Sequence, residues 1–428
     1  MKIRIIILIG ILIIGSFSSI SLSEIEITEN ETINNIYKYT DKDKKIEENE
    51  IISNDFLFDK IIKQIMKIAC WPSLSICFIN NDQMIWSKGY GFYDLENQKP
   101  ATDKTIYNIA SITKSITGTA LMQLWEQGYF DLDEDVNNYL PFSLRNPNFP
   151  DVPITFRMLL SHSSSLRNTN LYFLWKPYYE GPPFAGYPSP WLEDVLLKGG
   201  AKYTSSVWNE VYPPGDYSFY ANINFDIIGY LIEIISNESF YEYCINNIFL
   251  PLEMFNTSFN LNSFEEELLA IPYSWNSNSQ KHDRLENFMI INYPVGGLYS
   301  TVDDLSHFVI AYMNDGLYNS FQLLDELTID IMHKIQPPGN QAGFFYGLGW
   351  LFRGRSIWHS ITDSPKMFSK IVYLGHSGDM FGIHTQMYMH ISKDSCVIFF
   401  INLNRNYKEA WNSAELLLEI LFLKEKLI

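Results

Sequence analysis

Two strand-like apolar runs, residues 73–78 and 84–93, flank the polar triplet Asn80-Asn81-Asp82. Asn and Asp tolerate the left-handed backbone that tight turns require, so this stretch predicts a β-hairpin. A helix-like run precedes it from 56 to 70. Strand patterns return only late, at 370–374, 382–391 and 396–402, and a closing helical pattern covers 406–427. From about 102 to about 293 the periodicity is helical and broken by proline-rich loops. These are densest at 176–190, where Pro177, Pro182, Pro183, Pro188 and Pro190 crowd together, and loops of that kind often wall a substrate cleft. Strands at both ends around a helical middle predict an α/β (α+β) architecture: an antiparallel sheet from both chain ends, flanked by the terminal helices, with a mostly helical insertion domain. The sheet part spans about 55–101 and 294–428 and the helical part about 102–293. A site is expected at their junction.

The first 54 residues follow a different pattern. Met1-Lys2-Ile3-Arg4 leads into an apolar run at 5–17, short for a bilayer span but suited to a secretory signal, with Ser21 and Ser23 as a small-x-small cleavage site. The expectation is a signal peptide over 1–23 and a secreted or extracytoplasmic protein, with an uncleaved membrane anchor as the alternative. Residues 24–54 are polar and charged without sustained apolar periodicity and read as a solvated linker. Sequons at Asn30, Asn237 and Asn256 fit a glycoprotein only weakly, since an Asn-rich chain makes them by chance. Cys70, Cys77, Cys244 and Cys396 lack paired metal spacing; an oxidising compartment would permit one or two disulfides, and Cys77 and Cys396 also read as core.

Over its 428 residues the chain is 46% hydrophobic and 15% aromatic, enough for a large core. Its 31 basic and 49 acidic residues give a net charge of −18, a field that repels nucleic acid and anionic membrane surfaces. Nucleic-acid binding is therefore set aside.

Ser111-Ile112-Thr113-Lys114 opens a helical run through Ile116, Leu121, Leu124 and Trp125 that stops near Gly128. Residues three apart share a helix face, so Lys114 can reach the Ser111 hydroxyl in the first turn, where the helix N-terminus adds positive potential. Such pairs also arise by chance, but no other serine in the chain has a lysine three residues on. Two further motifs follow in order. Tyr220-Ala221-Asn222 stands between Pro213-Pro214-Gly215 and an apolar helix containing Phe225, Ile228, Leu231 and Ile235. A nearby ammonium would favour the Tyr220 phenolate, which could take the Ser111 proton and return it to a leaving group. Asn222 would bridge Lys114 and a substrate amide. The similar Tyr312-Met313-Asn314 lies inside an amphipathic helix and reads as packing.

The third motif, His376-Ser377-Gly378, follows the strand at 370–374. Gly378 would let substrate approach the backbone as an added strand, and Ser377 offers it a hydroxyl. The N–H groups of Ser111 and Asp379 are candidates for an oxyanion hole. Neither His-Glu-x-x-His nor clustered His/Asp spacing appears around His162, His307, His376 and His384, and no Gly-x-Ser-x-Gly elbow is present, so the motifs call for no metal and no cofactor.

From about Phe56 to the C-terminus the chain resembles the serine β-lactamase-related family, nearest to its class C, D-alanyl-D-alanine carboxypeptidase and esterase branches. Beyond the three motifs, Asn108-Ile109-Ala110, Leu159-Leu160-Ser161-His162-Ser163, Pro214-Gly215, Gly296-Gly297-Leu298-Tyr299-Ser300 and Tyr346-Gly347-Leu348-Gly349-Trp350 look like family landmarks. The resemblance implies a β-lactamase/DD-peptidase-like fold and acyl-enzyme chemistry on a small-molecule or peptide substrate. Ser111 would attack a carbonyl, Lys114 and Tyr220 would manage protons, and Asn222, His376, Ser377 and Gly378 would hold the substrate. Two positions depart from the family pattern. His376 stands where many β-lactamases carry a lysine, which points to ester, amide or D-peptide substrates ahead of antibiotics. Ser163-Ser164-Ser165 lacks the glycine that relatives commonly place at its end. A non-catalytic scaffold and a true β-lactamase stay open as alternatives, and oligomeric state is not legible.

Overall fold

A computed structural model describes residues 54–168, 175–177, 191–338, 345–354, 371–404 and 408–424. The expected signal segment, the polar linker and most of the proline-rich loop at 176–190 lie outside the described residues. Eight strands form the main sheet: β1 (Ser73–Asn80), β2 (Gln83–Asp94), β3 (Lys99–Pro100), β4 (Phe345–Tyr346), β5 (Leu351–Gly354), β6 (Ile371–Met380), β7 (Ile383–His390) and β8 (Ser395–Ile401). Their order is β4-β5-β6-β7-β8-β1-β2-β3 with every neighbouring pair antiparallel, so strands from both chain ends meet at the β8–β1 pair.

The predicted hairpin is β1–β2. Asn81 and Asp82 both take positive φ (46° and 62°), the turn whose twist matches that of the strands it joins. β1, β7 and β8 are buried along nearly their whole length, so both faces of these strands are covered. Cys77 and Cys396 lie buried in β1 and β8, as the core reading had it.

Within residues 71–406 the helix α4 (Val302–Met313) lies against β1 and β8. Its N-cap Thr301 accepts a hydrogen bond from the Asp304 N–H. Tyr312 is buried in it as packing, 2.7 Å from the Thr119 hydroxyl. The helices α2 (Thr113–Glu126) and α3 (Ile223–Ser236) pack on each other. α2 is buried all round from Thr113 to Leu124 and ends before Gly128, whose φ of +78° suits the stop read from sequence. The middle of the chain is less purely helical than expected, since short ribbons pair Tyr273–Asn276 with Lys281–Arg284 and Trp175–Pro177 with Phe288–Ile290. Two terminal helices, α1 (Asn54–Ile68) and α5 (Lys408–Lys424), contact each other and belong to a compact unit of their own. Among the described residues no helix is long and apolar enough to cross a membrane.

β6 corrects the sequence reading. The strand does not end near 374; it continues to Met380 and includes His376-Ser377-Gly378, because β7 pairs alongside it as far as Met380 opposite Ile383. β5 pairs with β6 only up to Gly375 opposite Leu351. A β-carbon on Gly378 would stand 2.5 Å from the Ile109 carbonyl oxygen, 2.9 Å from the Ala110 methyl and 2.4 Å from Thr385 Oγ1. The glycine therefore lets the sheet close onto the turn that leads into α2. Gly378→Ala is expected to cost about 1–3 kcal/mol through this overpacking. A melting temperature unchanged from that of the parent protein would contradict it.

Candidate active site

The turn before α2 is built for an unusual backbone. Asn108 Oδ1 accepts the Ala110 N–H at 2.9 Å, and the Ala110 carbonyl accepts the Thr113 hydroxyl at 2.6 Å. Between these bonds Ala110 sits at φ 47°, a conformation costing roughly 1 kcal/mol or more for a residue with a β-carbon. Ser111 follows in the short 3₁₀ turn Ala110–Ile112 rather than in the α-helix itself. Lys114, one turn on, has its Nζ 3.0 Å from Ser111 Oγ and donates to the Val295 carbonyl at 2.6 Å. Tyr220 donates from its hydroxyl to Ser111 Oγ at 2.8 Å. The three residues predicted to handle protons thus converge on one oxygen.

Burial acts on both proton-handling groups. Lys114 is fully buried, and loss of solvation holds its amine well below the ordinary lysine range, although the negative charge of Asp226 opposes that shift. Burial likewise pushes the Tyr220 phenol up. Burial thus favours the neutral amine and the neutral phenol over an ammonium–phenolate pair. The amine also lies 5.1 Å from the centre of the Tyr220 ring and 5.9 Å from that of Phe225, so a transient ammonium would meet two aromatic faces.

These groups open on a cavity of about 300 Å³, lined also by Asn222, Val295, Gly296, Tyr346, Leu351, His376, Ser377, Asp379 and Met380. Ser111 and Asp379, the two candidate oxyanion donors, both line it. Asn222 caps α3, with its own N–H held by Asn168 Oδ1 at 2.7 Å. The expected bridge from Asn222 to Lys114 is not formed: Asn222 Oδ1 is buried without a hydrogen-bond partner, and the amine is engaged by Val295 and Ser111. His376 Nδ1 lies 2.7 Å from the Ser377 carbonyl, so the ring donates from Nδ1 and leaves Nε2 as an acceptor. Burial, and next the Lys114 side chain, bring the His376 pKa down to about 3, which makes it a neutral group where a lysine would be a cation.

Sequence reasoning missed several contributors. Asp226, fully buried, supplies the charge that acts on Lys114; its signal was an acid four residues past Asn222, in the first turn of a largely apolar helix. The Val295 carbonyl has no side-chain signature. Ser165, where relatives carry glycine, takes φ 69° and is held by its hydroxyl, which donates to the Tyr212 carbonyl at 2.8 Å and accepts from Asn146 Nδ2 at 2.7 Å. The loop thus keeps its left-handed turn without glycine. Asp379 is fixed by His384, whose Nδ1 lies 2.8 Å from Asp379 Oδ1. Among the described residues no group of His, Cys, Asp and Glu side chains is arranged to hold a metal ion.

A strained serine turn at the head of a buried helix, a lysine one turn on, and a tyrosine from the helical part thus meet beside one cavity. The sequence model of the Beta-lactamase family matches residues 58–421, and the chain belongs to that family. Protein flp of Staphylococcus aureus (strain N315) is 25% identical over 360 residues, covering 82% of this chain; the chain spans 63% of that relative's length. The octameric penicillin-binding protein homologue from Pyrococcus abyssi superposes with a TM-score of 0.66 at 24% identity, covering 86% of this chain and 77% of that one. The D-amino acid amidase of Ochrobactrum anthropi SV3, solved with L-phenylalanine amide, gives 0.65 at 18% identity over 85% of this chain and 99% of its own. These structural likenesses establish the fold.

The buried neutral histidine has a measurable consequence. His376 has a folded pKa of about 3 against an ordinary 6.5, so the unfolded chain binds the extra proton first as pH falls. Its contribution to stability is full above about 6.5 and declines toward pH 3, by on the order of a few kcal/mol. Thermal melts from pH 7.5 down to 4 should show a shallower decline for His376→Gln than for the parent protein; parallel curves would contradict the assignment.

Proposed function

We propose that this protein is a serine acyl-enzyme hydrolase in which Ser111 is the nucleophile, Lys114 its base and Tyr220 the proton carrier to the leaving group. The observation that carries the reading is the placement of Lys114 Nζ and the Tyr220 hydroxyl 3.0 and 2.8 Å from Ser111 Oγ beside an open cavity, with the lysine held toward its neutral form. A free amine lone pair accepts the Ser111 proton as Oγ attacks the substrate carbonyl, and the Val295 carbonyl and Asp226 charge steady the ammonium formed. The oxyanion is met by the N–H groups of Ser111 and Asp379. Tyr220 passes its proton to the departing group and regains one from Lys114. Water then enters, loses its proton to the same pair, and releases the acyl group as Ser111 recovers its hydroxyl.

Esters, amides and D-peptides are the proposed substrates. His376 presents a neutral acceptor where a lysine would bind a carboxylate, and Asn222 offers an unpartnered buried oxygen suited to a substrate N–H. The fold shared with a D-amino acid amidase agrees with that class. The same reading takes residues 1–23 as the segment that delivers the enzyme across a membrane.

Incubation with a fluorophosphonate probe and with a fluorescent penicillin, followed by peptide mass spectrometry, tests the reading. A stable adduct on Ser111 is expected, with none on Ser111→Ala. Lys114→Met and Tyr220→Phe should each slow the reaction by about 10²–10⁴-fold without unfolding the chain. Folded protein that takes neither probe would favour the scaffold alternative, and turnover of the penicillin would favour a true β-lactamase.

A further inference from the structure

His162 is fully buried beneath the Tyr220-Ala221-Asn222 motif and is assigned no part in the chemistry above. Its Nδ1 lies 3.2 Å from the Ala221 backbone nitrogen and 3.2 Å from Asn224 Nδ2. A backbone N–H can only donate, and Asn224 must also donate here, because its Oδ1 already accepts the Ser164 hydroxyl at 2.5 Å. Both neighbours therefore need an unprotonated Nδ1, and the ring carries its single hydrogen on Nε2. The ring centre lies 4.6 Å from that of Tyr220, 5.2 Å from Phe225 and 4.7 Å from Tyr346. The His162 carbonyl accepts the Phe219 N–H at 2.8 Å, so the segment is gripped on both sides of Tyr220.

We propose that His162 is a positioning residue for Tyr220, acting through an Nδ1 acceptor that pins the Ala221 N–H and so holds the phenol against Ser111. The inference rests on the acyl-enzyme reading and deepens it. A phenol misplaced by about 1 Å loses a large part of its proton-transfer rate. Burial, the largest cause, lowers the His162 pKa well below the ordinary histidine value, which favours the neutral ring and its acceptor.

His162 takes φ 58°, a backbone that Asn tolerates better than other non-glycine residues, and the Asn side-chain oxygen falls close to the position of a histidine Nδ1. Two variants therefore separate acceptor from ring. His162→Phe keeps the aromatic packing and removes the acceptor; His162→Asn keeps an acceptor and removes the ring. The readouts are the rate of Ser111 labelling by the fluorophosphonate probe, kcat and KM on a chromogenic ester, and the melting temperature. His162→Phe should lose about tenfold or more in labelling rate and kcat with KM little changed, and His162→Asn should recover to within a few-fold of the parent. If His162→Phe does not fold, a folded His162→Asn with near-parent kcat still supports the assignment. The proposal is overturned if folded His162→Phe matches the parent, or if folded His162→Asn is as slow as His162→Phe. Absence of labelling in the parent protein itself would instead remove the acyl-enzyme reading on which the proposal rests.

Discussion

A lysine side chain taken wholly out of water is the constraint on which the rest of the site depends. An ammonium in such a place is costly unless a carboxylate or several acceptors replace its solvent, and the balance around Lys114 favours losing the proton. A lowered pKa leaves the amine more available as a base than that of an exposed lysine. Its lone pair has one neighbour able to give up a proton usefully, the Ser111 hydroxyl, since the Val295 carbonyl can only accept. Asp226 tempers the burial: it lowers the cost of the transient ammonium without restoring the charge at rest.

Everything that positions Ser111 serves that geometry. The buried α2 fixes Lys114, the Asn108 and Thr113 bonds force Ala110 into its left-handed turn, and Gly378 lets the sheet approach within contact of the same turn. The sheet edge beyond Gly375 can therefore share a cavity with Ser111. The helical part supplies Tyr220 and Asn222 from the opposite side, gripped by Asn168 and by the loop carrying His162. A neutral His376 completes the wall and leaves the cavity's recognition to acceptors, hydroxyls and backbone groups.

The sequence made much of this legible because the relevant signals are local. A helix with lysine one turn past serine, a Tyr-x-Asn ahead of an apolar helix, and turn residues between strand patterns all depend on neighbours a few positions away. The hairpin at Asn81-Asp82, the end of α2 near Gly128 and the packing role of Tyr312 were readable for that reason. What escaped depends on contacts between distant segments. The length of β6 is set by β7, the meaning of Gly378 by Ile109 and Ala110, and the service of Val295 by its backbone alone. The pKa shifts of Lys114 and Tyr220 were not legible because burial, their largest cause, is a property of the assembled core.

The protonation state of Lys114 can be followed directly by ¹³C NMR of lysine-labelled protein, with the Lys114 signal assigned through Lys114→Met. The account predicts that the Lys114 Cε resonance stands at its neutral-amine position at pH 7.5 and titrates well below the ordinary 10.5. A resonance that stays at the ammonium position and titrates with the exposed lysines would contradict it.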